Sequence, residues 1–381
     1  MEIDHVHFYV HDAASIRDWF VEKMGFRAIA LHSPVQHHTQ TAFVCRGSIK
    51  ILLSSAIADT SPVARYLTHH PPGVVDVAFR IQAIAPVLAK AMQHGALCIS
   101  PLQQQGRTQW CAIAGWDGFQ HTLIQGNDTK VIPSGEWLFT YHSELEDHVC
   151  CEDLDTSVNW SQDRIDHAVL NVVAGQMEAA VQWYCAHLGF LAQQQFTIQT
   201  RHSGLCSRVL VHPHGTAQLP INEPTSANSQ IQEFLDYNHG AGIQHIAIQT
   251  SDAIATIAEL RQRGLAFLSV PSSYYEQLIQ RAQGRLSQEF IHAIAQHHIL
   301  IDWQPNNPQA MLLQAFTQPI FDEPTFFFEV IERKVYVEDH QPKQAKGFGE
   351  GNFRALFEAM EHEQLKRAIA PLSAPYSTNA S

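Results

Sequence analysis

No apolar run in the sequence is long enough to cross a bilayer, and the start, MEIDHVHF, lacks the basic residues and long apolar core of a secretory signal. The expectation is a cytoplasmic protein with no membrane partner. Cysteine is sparse and unpatterned. The seven include no Cys-x-x-Cys pair and only Cys150 and Cys151 are adjacent, which argues against a disulfide framework or a cysteine-bound zinc and fits a reducing compartment. Positive charge is scarce too, with 24 Lys and Arg against 37 Asp and Glu. The net charge of -13 argues against nonspecific nucleic-acid binding or an electrostatic hold on a membrane. Phosphate-binding glycine fingerprints of the G-x-G-x-x-G or Walker type are absent, so no nucleotide cofactor is expected.

What is there is length, histidine and repetition. The 381 residues suffice for two domains with sizeable cores. Of the 24 histidines, pairs such as His37-His38, His69-His70 and His297-His298 lie in polar segments and read as solvated. Asp4 to Ala28 reads as a strand, an amphipathic helix, and a Gly-Phe turn into another strand. Asp166 to Ala192 repeats that order, including the Asp-His opening and the Gly189-Phe190 turn. A second pair stays in step: Pro71 to Ile84 resembles Gly240 to Ile254, with Asp76 standing where His245 stands. Helices are expected over Ile84 to His94 and Ile254 to Arg263, ending at Gly95 and Gly264. Duplicated strand-helix-strand units of this kind can curl a sheet around a central cavity.

Ile132 to Ile165 is acidic and weakly periodic and reads as a linker or insertion. Gly347 to Ile369 reads as a glycine-rich loop followed by a helix with Asn352 as N-cap and Phe353, Leu356, Phe357 and Met360 on one face, which must cover something apolar.

Three side chains carry the chemistry. Gly240 to Thr250 fits a half-buried strand with His245, Ala247 and Gln249 on one face. His167 lies on the first strand of the C-terminal half. Glu329 sits in PTFFFEVIERK, where Phe327, Glu329 and Ile331 share a face, and a carboxylate in such a run is costly to bury unless a partner or metal compensates. Two imidazoles and a carboxylate from three strands can hold one side of a metal and leave the other open. That suits a non-haem Fe(II) centre accepting substrate and dioxygen, while zinc hydrolysis or isomerisation stays open with the same ligands.

The segments DHAVLNV, LPINEP, NSQIQEFLDYNHGAGIQHIAIQTSDAI, MLLQAFTQPIFDEPTFFFEVIER and KGFGEGNFRALFEAMEHEQ resemble successive motifs of the 4-hydroxyphenylpyruvate dioxygenase family in the vicinal-oxygen-chelate superfamily. The resemblance is continuous from about Asp166 to Gln364 and weaker but collinear before it. It implies an α+β fold of two glyoxalase/bleomycin-resistance-like domains, each an open barrel of repeated βαβββ units. Residues 1–150 would form a metal-free domain, and 151–381 a catalytic domain closed by the C-terminal helix. One Fe(II) per chain would be held by His167, His245 and Glu329. The implied reaction converts 4-hydroxyphenylpyruvate and O2 to homogentisate and CO2 by oxidative decarboxylation, ring hydroxylation and side-chain migration, feeding tyrosine catabolism or prenylquinone synthesis. A homodimer or homotetramer is implied as well.

By the same resemblance Ser207, Asn222 and Gln230 match a polar network around the phenol, and Gln244 and Gln314 match amides near the iron. Pro220, Phe316, Phe327, Phe348, Asn352 and Phe353 match the pocket walls. The chain departs from the family in three places: NEPTSANSQ lacks basic residues, Ala315 replaces a larger aliphatic residue, and ERKVYVEDHQ lacks a Gln-Arg ending after the ligand strand. The related 4-hydroxymandelate synthases share ligands and substrate but hydroxylate the benzylic carbon; Pro220 and Asn222 favour homogentisate here. A metal-dependent lyase or isomerase on the same scaffold is the more distant alternative.

Overall fold

The computed structural model describes residues 1–126, 128, 130–141, 163–200, 203–304, 307–338, 340–349, 351–355 and 357–358. The N-terminal half runs β1 (Glu2–Tyr9), α1 (Ala13–Met24), β2 (Arg27–Ile29), β3 (Val35–Gln36), β4 (Thr39–Arg46), β5 (Ile49–Ala56), α2 (Pro62–Leu67), β6 (Gly73–Arg80), α3 (Ile84–Gln93), β7 (Cys98–Gln105), β8 (Thr108–Ala114), β9 (Gln120–Gln125), β10 (Val131–Ser134) and β11 (Trp137–Thr140). The C-terminal half runs β12 (Arg164–Asn171), α4 (Met177–Leu188), β13 (Leu191–Gln199), β14 (Gly204–Val211), β15 (Gln218–Pro224), α5 (Gln230–Asn238), β16 (Gly242–Thr250), α6 (Ala253–Gln262), α7 (Ser272–Ala282), α8 (Gln288–Gln296), β17 (Leu300–Gln304), β18 (Asn307–Phe316), β19 (Phe327–Arg333), β20 (Val335–Glu338) and β21 (Gln341–Gln344).

The duplication is visible in the strand order. One sheet runs β2-β4-β5-β1-β6-β9-β8-β7 with β3 attached to β4, and the other runs β13-β14-β15-β12-β16-β19-β18-β17. In each, the first strand pairs in parallel with the last strand of its own βαβββ unit and antiparallel with the strand that opens the next. The sheets curl into half-barrels, as the α+β reading expects.

The repeated Gly-Phe turns have a local cause. Gly25 and Gly189 close α1 and α4 at φ 66 and φ 77, a left-handed conformation that glycine adopts without Cβ strain. Phe26 and Phe190 then turn into the core. Alternation along β12 and β19 does the rest. Ala168, Leu170, Phe328 and Val330 join a core shared by both halves, where Phe8 meets Phe326 edge-on at 4.9 Å. His167 and Glu329 fall on the other face, inside the half-barrel.

Three expectations need correction. Residues 132–140 of the supposed linker belong to the β10–β11 hairpin, which turns at Gly135 and buries Ile132, Trp137 and Phe139 against Phe43 and Leu52. The apolar alternation around that glycine is short, and the acidic stretch after it obscured it; residues 142–162, where a boundary at 150 would fall, lie outside the described residues. β16 is buried along its whole length rather than on one face, because it is a central strand with the half-barrel on one side and the shared core on the other. Asn352 does not cap the C-terminal helix from outside: residues 351–355 are helical, Gly351 N donates to Asp302 Oδ2 at 3.0 Å, and the Asn352 side chain turns inward.

Candidate metal centre

β12, β16 and β19 each deliver one ligand to a common point. Glu329 Oε2 lies 3.3 Å from His167 Nε2 and 3.5 Å from His245 Nε2, and the three ligand atoms fall within 4.8 Å of one another. All three residues are buried. Among the described residues they form the one group of at least three His, Cys, Asp or Glu side chains able to hold a metal. One carboxylate oxygen and two imidazole nitrogens on one side of a point suit a divalent first-row metal with open positions opposite.

Each ligand is oriented from behind. His167 Nδ1 donates to Asp166 Oδ2 at 2.8 Å, which turns Nε2 toward the other ligands. Asp166 in turn accepts from Arg333 Nε and Nη2, both at 2.7 Å. Burial alone would raise the Asp166 carboxyl, but the Arg333 charge and these hydrogen bonds hold it far below the usual range. Gln314 Nε2 donates to Glu329 Oε1 at 2.8 Å, so the carboxylate keeps Oε2 for the metal point. The His245 ring stacks on Phe327, centroids 4.7 Å apart.

Burial pushes Glu329 upward, yet His167 and hydrogen bonds from both imidazoles outweigh it and bring it down to about 2. Burial pulls His167 down, and the Glu329 charge with the Asp166 bond overcomes that and raises it to about 9. Burial lowers His245. A buried carboxylate is thus kept ionised by a positive charge at the metal point, the service a divalent cation performs once it displaces the proton from His167.

The chamber in front of the triad is lined by Val169, Phe196, Ser207, Val209, Pro220, Gln314, Phe348 and Phe353. The space left is about 10 Å³, room for about one water, so a larger ligand requires these walls to part. Asn222 faces Ser207 across β14 and β15 and donates to Asn171 Oδ1 at 3.3 Å. Ser207 Oγ, Asn222 Oδ1, Asn171 Nδ2 and Gln230 Oε1 are buried without hydrogen-bond partners. Orphaned polar atoms of this kind cost about 1–3 kcal/mol each unless something fills them.

Of the residues singled out in the sequence, Ser207, Pro220, Gln314, Phe348 and Phe353 share the chamber wall with the triad. Asn352 lies behind Gln314, and Phe327 behind His245. Phe316 and Gln244 do not line the chamber: Phe316 packs behind Phe327 with Leu268 and Leu300, and Gln244, expected as an amide near the iron, is the extra residue of a bulge next to His245, where the β12–β16 register slips between Val169 and Leu170. Asp166, Asn171 and Arg333 escaped the sequence reading; Asn171 was findable, since it lies on β12 two alternations beyond His167.

A family model described as "Hydroxyphenylpyruvate dioxygenase, HPPD, N-terminal" matches residues 1–130, and one described as "Glyoxalase/Bleomycin resistance protein/Dioxygenase superfamily" matches residues 164–284. The 4-hydroxyphenylpyruvate dioxygenase of Caenorhabditis elegans is 34% identical over 381 residues, covering 96% of this chain and 92% of its own. The chain belongs to the 4-hydroxyphenylpyruvate dioxygenase family. A second member of this dioxygenase family, from Coccidioides posadasii, is 33% identical, covering 96% of this chain and 93% of its own. A solved triple mutant of 4-hydroxymandelate synthase from Streptomyces coelicolor superposes with a TM-score of 0.80 at 22% identity, covering 95% of this chain and 98% of that one, which shows that the fold is shared. Among the described residues of this family member, no helix is long and apolar enough to cross a membrane.

Proposed function

We propose that the protein is a 4-hydroxyphenylpyruvate dioxygenase that converts 4-hydroxyphenylpyruvate and O2 to homogentisate and CO2. The observation that carries the reading is a buried His167-His245-Glu329 triad facing a chamber walled in part by Ser207, whose Oγ is buried and unpaired, in a chain of this family. The donor set fits iron: two imidazoles and one carboxylate oxygen, with Glu329 Oε1 already engaged by Gln314. Held by His167, His245 and Glu329, one Fe(II) per chain would supply the redox chemistry and a Lewis-acidic docking point for the 2-oxo acid.

The chain's own residues do the positioning. Phe348 and Phe353 give apolar walls for the aromatic ring, and Ser207 Oγ, Asn222 Oδ1 and Asn171 Nδ2 are free to hydrogen-bond the phenol. Gln230, buried at the start of α5, adds a further unpaired amide oxygen. Phe353 packs on Phe196, and Phe357 is buried among Ile198, Leu205 and Phe234, so the segment covering the chamber excludes water from the reaction.

On the same reading residues 1–150 are the metal-free domain and 151–381 the catalytic one, in a cytoplasmic homodimer or homotetramer; sedimentation tests the assembly. The product follows from the ring pose. The Asn222 amide beside Ser207 anchors the phenol end, and an error of about 1 Å redirects the chemistry. Chromatography of an anaerobic mixture of iron-loaded protein and 4-hydroxyphenylpyruvate, then exposed to O2, should give homogentisate. 4-Hydroxymandelate as the dominant product would overturn the assignment.

A further inference from the structure

A chain of hydrogen bonds runs from Glu329 out of the chamber to α7. Gln314 Nε2 donates to Glu329 Oε1 at 2.8 Å, Asn352 Nδ2 to Gln314 Oε1 at 2.7 Å, and the Tyr274 hydroxyl to Asn352 Oδ1 at 3.2 Å. The inner end fixes the direction. The ionised Glu329 carboxylate can only accept, so Gln314 turns its amide donor inward, Asn352 donates to the outward Gln314 oxygen, and the Asn352 oxygen is left facing the Tyr274 hydroxyl. Tyr274 Oη also accepts from Ile301 N at 2.9 Å and lies 3.0 Å from Ile301 O, which accepts from Arg281 Nη2 at 2.7 Å. Every proton points at the carboxylate. The close approach also requires a glycine: at Gly349, with φ +64, a Cβ would lie 2.5 Å from Gln314 Oε1.

We propose that Tyr274 is a positioning residue: through Asn352 and Gln314 its hydroxyl keeps Glu329 Oε1 occupied and Oε2 turned to the metal point, tying the ligand's set to the helical segment over the chamber. Without that hydroxyl the Asn352 amide oxygen loses this partner while its donor stays on Gln314 Oε1 at 2.7 Å and Leu312 O at 3.5 Å, so the support behind Gln314 and Glu329 Oε1 loosens.

The inference rests on the metal reading of the triad, and the test separates the two. Tyr274→Phe should weaken anaerobic Fe(II) binding by about 3- to 10-fold, below the 10- to 100-fold seen when a direct partner of a ligand is lost. It should also raise O2 consumed per homogentisate and change the visible spectrum of the Co(II)-loaded protein. Asn352→Asp, which keeps an acceptor for Tyr274 but removes the donor to Gln314, should do more, and the double variant should do no more than Asn352→Asp alone. Tyr275→Phe is the control. It removes a neighbouring buried hydroxyl of α7 that reaches Ile299 O at 3.2 Å and not Asn352, so it should lose comparable stability with no change in metal binding or spectrum. Wild-type Fe(II) affinity, coupling and Co(II) spectrum in Tyr274→Phe would overturn the proposal, as would equal effects in the two tyrosine variants. Failure of the unmodified protein to bind Fe(II) would instead overturn the metal reading.

Discussion

Asp76 occupies in the N-terminal sheet the register position that His245 holds in the C-terminal one: it pairs with His7 on β1 as His245 pairs with Val169 on β12. Counting along the parallel neighbours places Thr122 opposite Ala78, where Glu329 stands opposite Ala247. The Asp76 carboxylate is fully engaged inside its own half. It accepts from Gln120 Nε2 at 2.7 Å, Thr122 N at 2.9 Å, Thr122 Oγ1 at 2.5 Å and Ser134 Oγ at 2.9 Å. The duplicated position has become a structural knot that also holds the β10–β11 hairpin.

Asp76→Ala should accordingly cost about 3 kcal/mol, because it strands several buried donors. Urea denaturation of the iron-free protein measures the loss, and Fe(II) binding by the folded variant should match wild type.

Arg333 ties the Asp166 carboxylate to the loop over the chamber, donating to Gly347 O at 2.8 Å as well as to both Asp166 oxygens. Arg333→Lys keeps the charge and loses the planar fork. Fe(II) affinity, read by anaerobic titration, should fall about 10-fold as His167 loses its fixed orientation.

Gly347 and Gly349 separate steric contact from backbone strain. Both have positive φ, +97 and +64, but an added Cβ at Gly347 meets nothing within 4 Å, whereas at Gly349 it meets the Gln314 amide oxygen. Each alanine substitution should cost stability of roughly 1 kcal/mol from strain. Only Gly349→Ala should increase the O2 consumed per homogentisate formed, as measured with an oxygen electrode and chromatography.

Much of this architecture is legible in the sequence, for physical reasons. Glu329 is conspicuous because β19 alternates between a shared aromatic core and the half-barrel, and a carboxylate in such a strand needs a partner. His167 and His245 emerge from the repeat that also exposes Asp76. Arg333 and Asp166 were not paired in the sequence because their strands, β19 and β12, are separated in the sheet by β16. Tyr274 lies on α7, a helix inserted between α6 and β17 with no counterpart in the N-terminal half, so periodicity gives no clue to it. The departure in ERKVYVEDHQ is milder than it reads: Glu332 Oε2 accepts from Ala253 N at 2.9 Å at the start of α6, and Arg333 keeps the pairing that matters at the site.

Stability should depend on pH through Asp163, buried at the foot of β12 next to Arg46 and Glu259. Burial raises its carboxyl from 3.8 to about 7, with Arg46 opposing. A carboxyl whose folded pKa lies above its unfolded value holds its proton more tightly when folded, so this group costs nothing below about pH 4, costs progressively more between 4 and 7, and costs its full penalty above 7. Asp163→Asn should therefore raise Tm at pH 8 more than at pH 5. A gain of equal size at both values would show that Asp163 is not titrating in that range.

The most direct test of the account is anaerobic Fe(II) titration followed by O2 uptake with 4-hydroxyphenylpyruvate, run on the wild type and on Glu329→Ala. The wild type should take up one Fe(II) per chain, consume O2 only when the 2-oxo acid is present, and release one homogentisate per O2, while Glu329→Ala should lose turnover. Full iron occupancy and wild-type turnover in Glu329→Ala would contradict the account.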